Sequence, residues 1–210
     1  MTIEINSISE AVNRIRHLLE VNNKRIIVGI VGKPGAGKST FAAELIKNLT
    51  DLNPKLVPMD GYHLSNRQLK QLNLEDKKGA SNTFDVFGFA NLLQRINREI
   101  STDVYYPVFY REIEESYSAD AVVTKDTKIV ITEGNYLLVN EGGWERVGKE
   151  LIETWYLKAD EDLRMERLIK RHKEFGKDQK AAESWAKGSD EINAKIVEST
   201  ASRANVIVQI

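Results

Sequence analysis

The stretch "GIVGKPGAGKST", Gly29 to Thr40, has the residue types and spacing that hold a phosphate: Gly32, Gly37, Lys38 and Ser39 fit G-x-x-x-x-G-K-[ST]. Glycines let successive backbone N–H groups turn inward around an anion, and a helix that starts directly after them points its positive end at the same anion. A lysine placed like Lys38 reaches the β- and γ-phosphates, and the hydroxyl of Ser39 can bind Mg²⁺. Two acids carry related chemistry. Asp60 in "VPMDG" and Glu133 in "VITEG" each follow an apolar run and precede a glycine. An acid there can orient Mg²⁺ or its waters, take a proton from an attacking hydroxyl, or simply end a strand and cap the next turn.

Basic groups form a second set. In "DEDLRMERLIKRH" the spacing puts Met165, Leu168 and Ile169 on a buried stripe and Arg164, Arg167 and Arg171 together on another face. The polar segment "KEFGKDQKAAES" follows, so these arginines can close over a triphosphate; they equally fit a solvated face paired with Glu161 and Glu174. His172 is expected to pack at the helix end. Between Gly61 and Arg111, "GYHLSNRQL" brings His63 and Arg67, "KKGASNTFD" brings Lys77, Lys78 and Asp85, and "PVFYR" ends on Arg111. Loops of this chemistry suit a polar, hydroxylated or anionic small molecule, or plain surface. Tyr105, Tyr106, Phe109 and Tyr110 are expected in the core, and Trp144, Trp155 and Trp185 are expected to be packing residues.

The elements that must position these groups are readable in outline. "SISEAVNRIRHLLEV" is a helix in which Ser7 and Glu10 fit a capping box, with His17 on its polar side. "RIIVGIV", Arg25 to Val31, reads as a strand buried on both faces, and "KSTFAAELIKNL" as a helix with Phe41, Leu45 and Leu49 on one stripe. "KLVPMD" predicts a strand that ends on Asp60, and "DVFGFANLLQRINREI" a helix capped by Asp85. "VYYPVF" is an extended segment that Pro107 assigns to an edge or strand end. "AVVTKDTKIVITEG" carries two apolar runs around a turn, "ETWYLKA" is a further strand, "SDEINAKIVESTASRA" a helix and "NVIVQI" a last strand. Strands alternating with helices predict an α/β fold, a mostly parallel sheet covered by helices on both faces, with ligands at the carboxyl ends of the strands.

The bulk numbers limit the function classes. A chain of 210 residues suits one domain, 1–210, with a small lid over about 164–182. Net charge is −1, which gives no electrostatic case for nucleic acid or acidic membranes. No apolar run approaches a membrane-spanning length, and no secretory signal is expected at the N-terminus. Cysteine is absent, so disulfides and thiolate chemistry are excluded and a cytoplasmic location is the default expectation.

Taken in order, "GKPGAGKST", "MDGYHL", "KKGASNTFD", "PVFYR", "EGNYLL", "ERLIKRH", "SDEINA" and "ASRA" resemble the phosphoribulokinase/uridine kinase family of P-loop NTPase fold, from about Arg25 to Val208. The likeness is strongest to the bacterial pantothenate kinase-like branch, with its fructokinase-like members of sugar-transport operons. What the resemblance implies is ATP-dependent phosphorylation of a hydroxyl on a small metabolite, with ATP and Mg²⁺ as cofactors. By the same likeness Asp60 is the general base, and Lys38, Arg167 and Arg171 serve the phosphates. Gly32, Pro34, Gly35, Ala36, Gly37, Ser39 and Thr40 form the nucleotide cradle, and Ser39 and Glu133 act on the metal. Asn193 and Arg203 lie near the nucleotide base, and His63, Lys78, Arg111 and Tyr136 contact the acceptor. A homodimer is an expectation from relatives alone. The chain departs from pantothenate kinases in having only about 25 residues before the first strand, and from uridine kinases in having "DGYH" where they carry an aspartate–serine–phenylalanine–tyrosine run. A sugar such as fructose, a nucleoside such as uridine, and pantothenate all stay open as acceptors.

Rival readings are a GTPase switch, against which the guanine-reading Asn-Lys-x-Asp pattern is absent, and an ATP-binding regulator that does not turn over.

Overall fold

The computed structural model of the chain describes residues 2–209. Its centre is β2 (Ile26–Val31), apolar at every position except Gly29 and buried throughout. Alternation along β2 sends Ile27 and Val31 into one core and Ile26, Val28 and Ile30 into the other, so both faces of the strand are covered. Around it, β1 (Ile3–Ile5), β3 (Lys55–Leu56), β6 (Ile129–Gly134), β7 (Glu153–Lys158) and β8 (Val206–Gln209) complete a sheet in the order β1-β8-β7-β2-β6-β3, parallel at every pairing. The predicted fold class therefore holds.

One face carries α1 (Ile8–Asn22) and α2 (Lys38–Asn48), whose Ile15, Phe41 and Leu45 enter the core beside Trp155. Ser7 caps α1 as expected, accepting from the Glu10 N–H, while the Glu10 carboxylate accepts from the N–H of Asn6 at 2.8 Å. The other face carries α4 (Val86–Arg98), α5 (Trp144–Gly148) and α8 (Ser189–Ser199). Asp85 caps α4 through the Gly88 N–H at 2.9 Å. Trp144 meets Tyr136 and Phe84 with ring centroids 5.5 and 5.7 Å apart. No helix among the described residues is long and apolar enough to cross a membrane.

Three expectations change. The strand predicted over "KLVPMD" stops at Leu56; a further bond from the Val57 N–H to Ile131 O precedes a 3₁₀ turn, Met59–Tyr62, that carries Asp60. Pro58 enters that turn, which prolines favour over a continuing ladder. The two runs of "AVVTKDTKIVITEG" belong to different sheets: the first ends β5 (Glu115–Val123), which pairs antiparallel with β4 (Val104–Tyr110) as a two-stranded ribbon, and the second is β6. The ladder shifts between Tyr106 and Val108, at Pro107, which has no N–H to donate. The polar segment after the arginines is ordered as α7 (Gln179–Lys187), following α6 (Glu161–Glu174), with Ala182 and Ala186 buried. A short α3 (Asn66–Leu72), capped by Ser65, precedes the loop that holds Lys78.

Candidate active site

β2 delivers the phosphate-type loop and α2 receives it. Gly37 stands at the N-terminus of α2 with φ +91° and no side-chain cap, leaving the first-turn N–H groups to the cleft. Gly35 has φ +81°, and a Cβ there would lie 2.7 Å from the Arg164 carbonyl; only glycine fits. Lys38 Nζ donates to the carbonyls of Gly32 at 2.9 Å and Lys33 at 3.2 Å, and to Asn135 Oδ1 at 2.7 Å. Burial lowers its pKa to about 8. Ser39 Oγ donates to Glu133 Oε1 at 2.8 Å. Glu133 ends the buried β6, and burial pushes its carboxyl upward, opposed by the neighbouring Lys38.

Asp60 faces the same cleft. Arg111, just beyond β4, donates to Asp60 Oδ2 at 2.7 Å, and His63 Nε2 lies 3.9 Å from Oδ1. The turn is fixed to the loop that follows α3: the Leu64 N–H donates to Thr83 O, and the Asp85 N–H to Tyr62 O. His63 stacks on Phe84 at 4.1 Å and tilts against Phe109 at 4.8 Å. Burial lowers its pKa to about 4, so the ring is neutral at ordinary pH. Lys78 Nζ donates to Asn66 Oδ1 at 2.6 Å and to the Glu114 carbonyl.

The α6 arginines separate. Arg164 is buried, not on a shared basic face: it donates to Glu161 at 2.9 Å, to Glu191 at 2.6 Å and to the Pro34 carbonyl at 3.3 Å. Lys33 of the loop pairs with Glu161 as well. Arg167 brings its guanidinium to Gly37, 3.1 Å from where a Cβ would stand. Arg171 is turned inward, its pKa lowered first by burial and then by Arg111, with Asp190, Asp60 and Glu133 acting in the opposite sense. His172 pairs with Asp190 at 2.6 Å instead of merely packing.

These groups share one cleft of about 600 Å³, lined among others by Pro34, Gly35, Gly37, Lys38, Ser39, Thr40, Asp60, His63, Lys78, Arg111, Glu133, Arg167, Arg171 and Asn193. Gly32 and Ala36 belong to the loop but do not line the cleft. Tyr136 is withdrawn: it is fully buried and its hydroxyl donates to Gly79 O at 2.6 Å, so it supports the wall instead of facing the cleft. Arg203 also stays off the wall, donating to Leu138 O at 3.1 Å. The cleft further includes residues the sequence reading passed over: Asn135, Glu75, Glu114 and Asp190. Trp185, expected to be a packing residue, lines it too, under the Lys177 ammonium at 4.5 Å. "EGNY" holds the one available signal, a polar residue two positions beyond a strand-end acid.

A parallel α/β sheet, a phosphate-type loop after its central strand and acids at the ends of β6 and of the neighbouring turn define a P-loop kinase. Residues 27–210 match the Phosphoribulokinase / Uridine kinase family, and the chain belongs to it, a small-molecule kinase by family. It is 30% identical over 217 residues to the "Putative uridine kinase C227.14" of Schizosaccharomyces pombe, covering 98% of this chain and 92% of that one. It is similar to the crystal structure of a "putative fructose transport system kinase" from Silicibacter sp. TM1040, at 31% identity and TM-score 0.85, covering 96% and 98% of the two chains. A D-glycerate 3-kinase from Cryptococcus neoformans shares the fold at TM-score 0.66 and 12% identity, covering 96% and 95%.

Proposed function

We propose that the chain transfers the terminal phosphoryl group of Mg·ATP to a hydroxyl of a small metabolite, with Asp60 as general base. The observation that carries this is the convergence, in one cleft, of the Asp60–Arg111 pair with Lys38 and the Ser39–Glu133 pair.

The residues fit the nucleotide and the metal. The uncapped α2 N-terminus and the glycine cradle suit a polyphosphate. One hydroxyl beside one carboxylate suits Mg²⁺, which keeps waters and phosphate oxygens as its other ligands. Bound ATP supplies the phosphoryl group, and Mg²⁺ neutralises charge on its oxygens. The backbone N–H groups of Gly35, Gly37 and Thr40 would cradle phosphate oxygens. Lys38, now on the Gly32 and Lys33 carbonyls, would hold the phosphates, which favour its positive form. Arg167 and Arg171 spread the charge of the transferred group, and α6 with α7 acts as a lid that excludes water. Asn193, which lines the cleft, would face the nucleotide.

Asp60 acts through its two oxygens. Arg111 occupies Oδ2, which holds the carboxylate in place. Oδ1 is left to accept the acceptor's proton as the new bond forms. The names carried by the relatives support a nucleoside or a sugar as acceptor.

The test compares Asp60→Asn and Lys38→Ala in an ADP-release assay together with ATP binding. Asp60→Asn is expected to lower turnover by at least a hundredfold, within the usual range for a general base, and to keep ATP affinity. Lys38→Ala is expected to lose ATP affinity as well. Equal loss of ATP affinity in both variants contradicts the assignment.

A further inference from the structure

We infer that the acceptor is an uncharged polyhydroxylated molecule, such as a sugar, a polyol or a nucleoside, and not a hydroxy acid or a sugar phosphate. The inference rests on the kinase reading above and narrows the same site.

The acceptor half of the cleft is bounded by the Asp60 turn, the loop before α4 and the β4–β5 ribbon. Its two cations are already engaged. Arg111 holds Asp60 at 2.7 Å. Lys78 is held by Asn66 at 2.6 Å, by the Glu114 carbonyl, and by the Glu114 carboxylate at 3.5 Å. Glu75 also lines this half, so its carboxylates (Asp60, Glu75, Glu114) outnumber its cations (Lys78, Arg111). His63, neutral through burial, adds no charge. Arg171 faces inward too, but Asp60, Glu133 and Asp190 already surround it, and it stands beside Lys38 on the phosphoryl side.

An anionic acceptor entering this pocket would meet Arg111 and Lys78 with their charge already balanced by Asp60 and Glu114. It would stand beside three carboxylates whose nearby positive charge is already balanced, and like charges at close range repel. Repulsion from the ATP phosphates adds to the penalty. Hydroxyl groups meet no such conflict. They donate to the spare lone pairs of Asp60, Glu75 and Glu114 and accept from the N–H groups of Arg111 that Asp60 leaves open. The remaining walls are the rings of Phe84 and Phe109, which offer apolar contact to C–H groups.

The experiment measures acceptor-dependent ADP release at saturating Mg·ATP. The panel contains fructose, ribose and uridine as neutral probes, glycerate and pantothenate as hydroxy acids, and fructose 6-phosphate and ribulose 5-phosphate as phosphorylated probes. At least one neutral probe is expected to exceed every anionic one tenfold or more in kcat/KM. Its KM should change less than about twofold between roughly 50 and 300 mM KCl, because screening acts on charged ligands. The variant Glu114→Gln, which removes the negative charge that balances Lys78, should lower the KM of the hydroxy acids several-fold and raise that of the neutral acceptor. Preference for an acid or a phosphorylated sugar, with a KM that rises with salt, overturns the inference and leaves the kinase reading intact. Stimulation by no probe, with ATP still bound, overturns both.

Discussion

Replacing Arg164 by methionine removes a guanidinium that touches three elements and keeps most of its apolar stem. In the folded chain this side chain is 1% exposed and links α6 to Glu191 of α8 and to the Pro34 carbonyl of the phosphate loop. A hydrogen bond to a charged group contributes about 1.5–3 kcal/mol when protected from water. Glu161 and Glu191 are 56% and 35% exposed, so water recovers much of what each loses, and about 1 kcal/mol or less per pair is the appropriate figure. Leaving the Pro34 carbonyl without its donor adds about 1–2 kcal/mol. The expected loss is about 3 kcal/mol, a fall in Tm of about 6–12 °C for a chain of this size. Because the Arg164 backbone also abuts Gly35, the KM for ATP should rise several-fold while the KM for the acceptor moves little. Thermal unfolding followed by circular dichroism, with Glu191→Gln and the double variant, closes a cycle in which the pair should couple by about 0.5–1 kcal/mol. An unchanged Tm in Arg164→Met, or strict additivity in the cycle, would refute the bridge.

Gly35→Ala should lower stability and abolish tight ATP binding, since its Cβ would press on the Arg164 carbonyl at positive φ; an isothermal titration that finds normal affinity counts against the cradle. Ser39→Ala should weaken the response to Mg²⁺ more than ATP binding without metal, which a Mg²⁺ titration of turnover separates. His63 carries a folded pKa lowered to about 4 from 6.5. As pH falls through about 6.5 the unfolded chain binds a proton there that the folded chain refuses until about pH 4, so stability is lost across that window, by up to about 3 kcal/mol. Denaturant unfolding of His63→Phe should lack that part of the slope, and identical pH profiles argue against a buried neutral ring. Trp144→Ala, which opens the aromatic cluster with Phe84 and Tyr136, should cost about 3–5 kcal/mol in the same measurement.

What the sequence disclosed follows from how local each signal is. The loop from Gly32 to Thr40 was legible because its glycines, lysine and hydroxyl are adjacent in the chain and their purpose is set by backbone geometry. The α4 cap at Asp85 and the buried β2 were legible for the same reason. Asp60 was placed correctly at the cleft although its strand was not, because the turn that Pro58 enters follows directly on β3 and still carries Asp60 to the cleft. Arg164 was misread because helical spacing alone cannot tell a solvated arginine from one drawn inward by Glu191, a residue 27 positions away on another helix. Tyr136 follows the strand-end acid closely, yet its ring turns into the core, where the Gly79 carbonyl takes its hydroxyl. The polar composition of the segment after Phe175 concealed α7, which depends on the Asp178 cap and two buried alanines. Pairing of Lys78 and Arg111 with carboxylates from other loops, the feature that decides the acceptor's charge, is wholly tertiary.

Product mass spectrometry on a reaction of the chain with Mg·ATP and its best acceptor tests the central claim most directly, run beside Asp60→Asn. A monophosphorylated acceptor formed in step with ADP by the parent chain, and lost in the variant while ATP still binds, is the predicted result. ADP formed with no phosphorylated acceptor, or product formed equally by Asp60→Asn, would contradict the account.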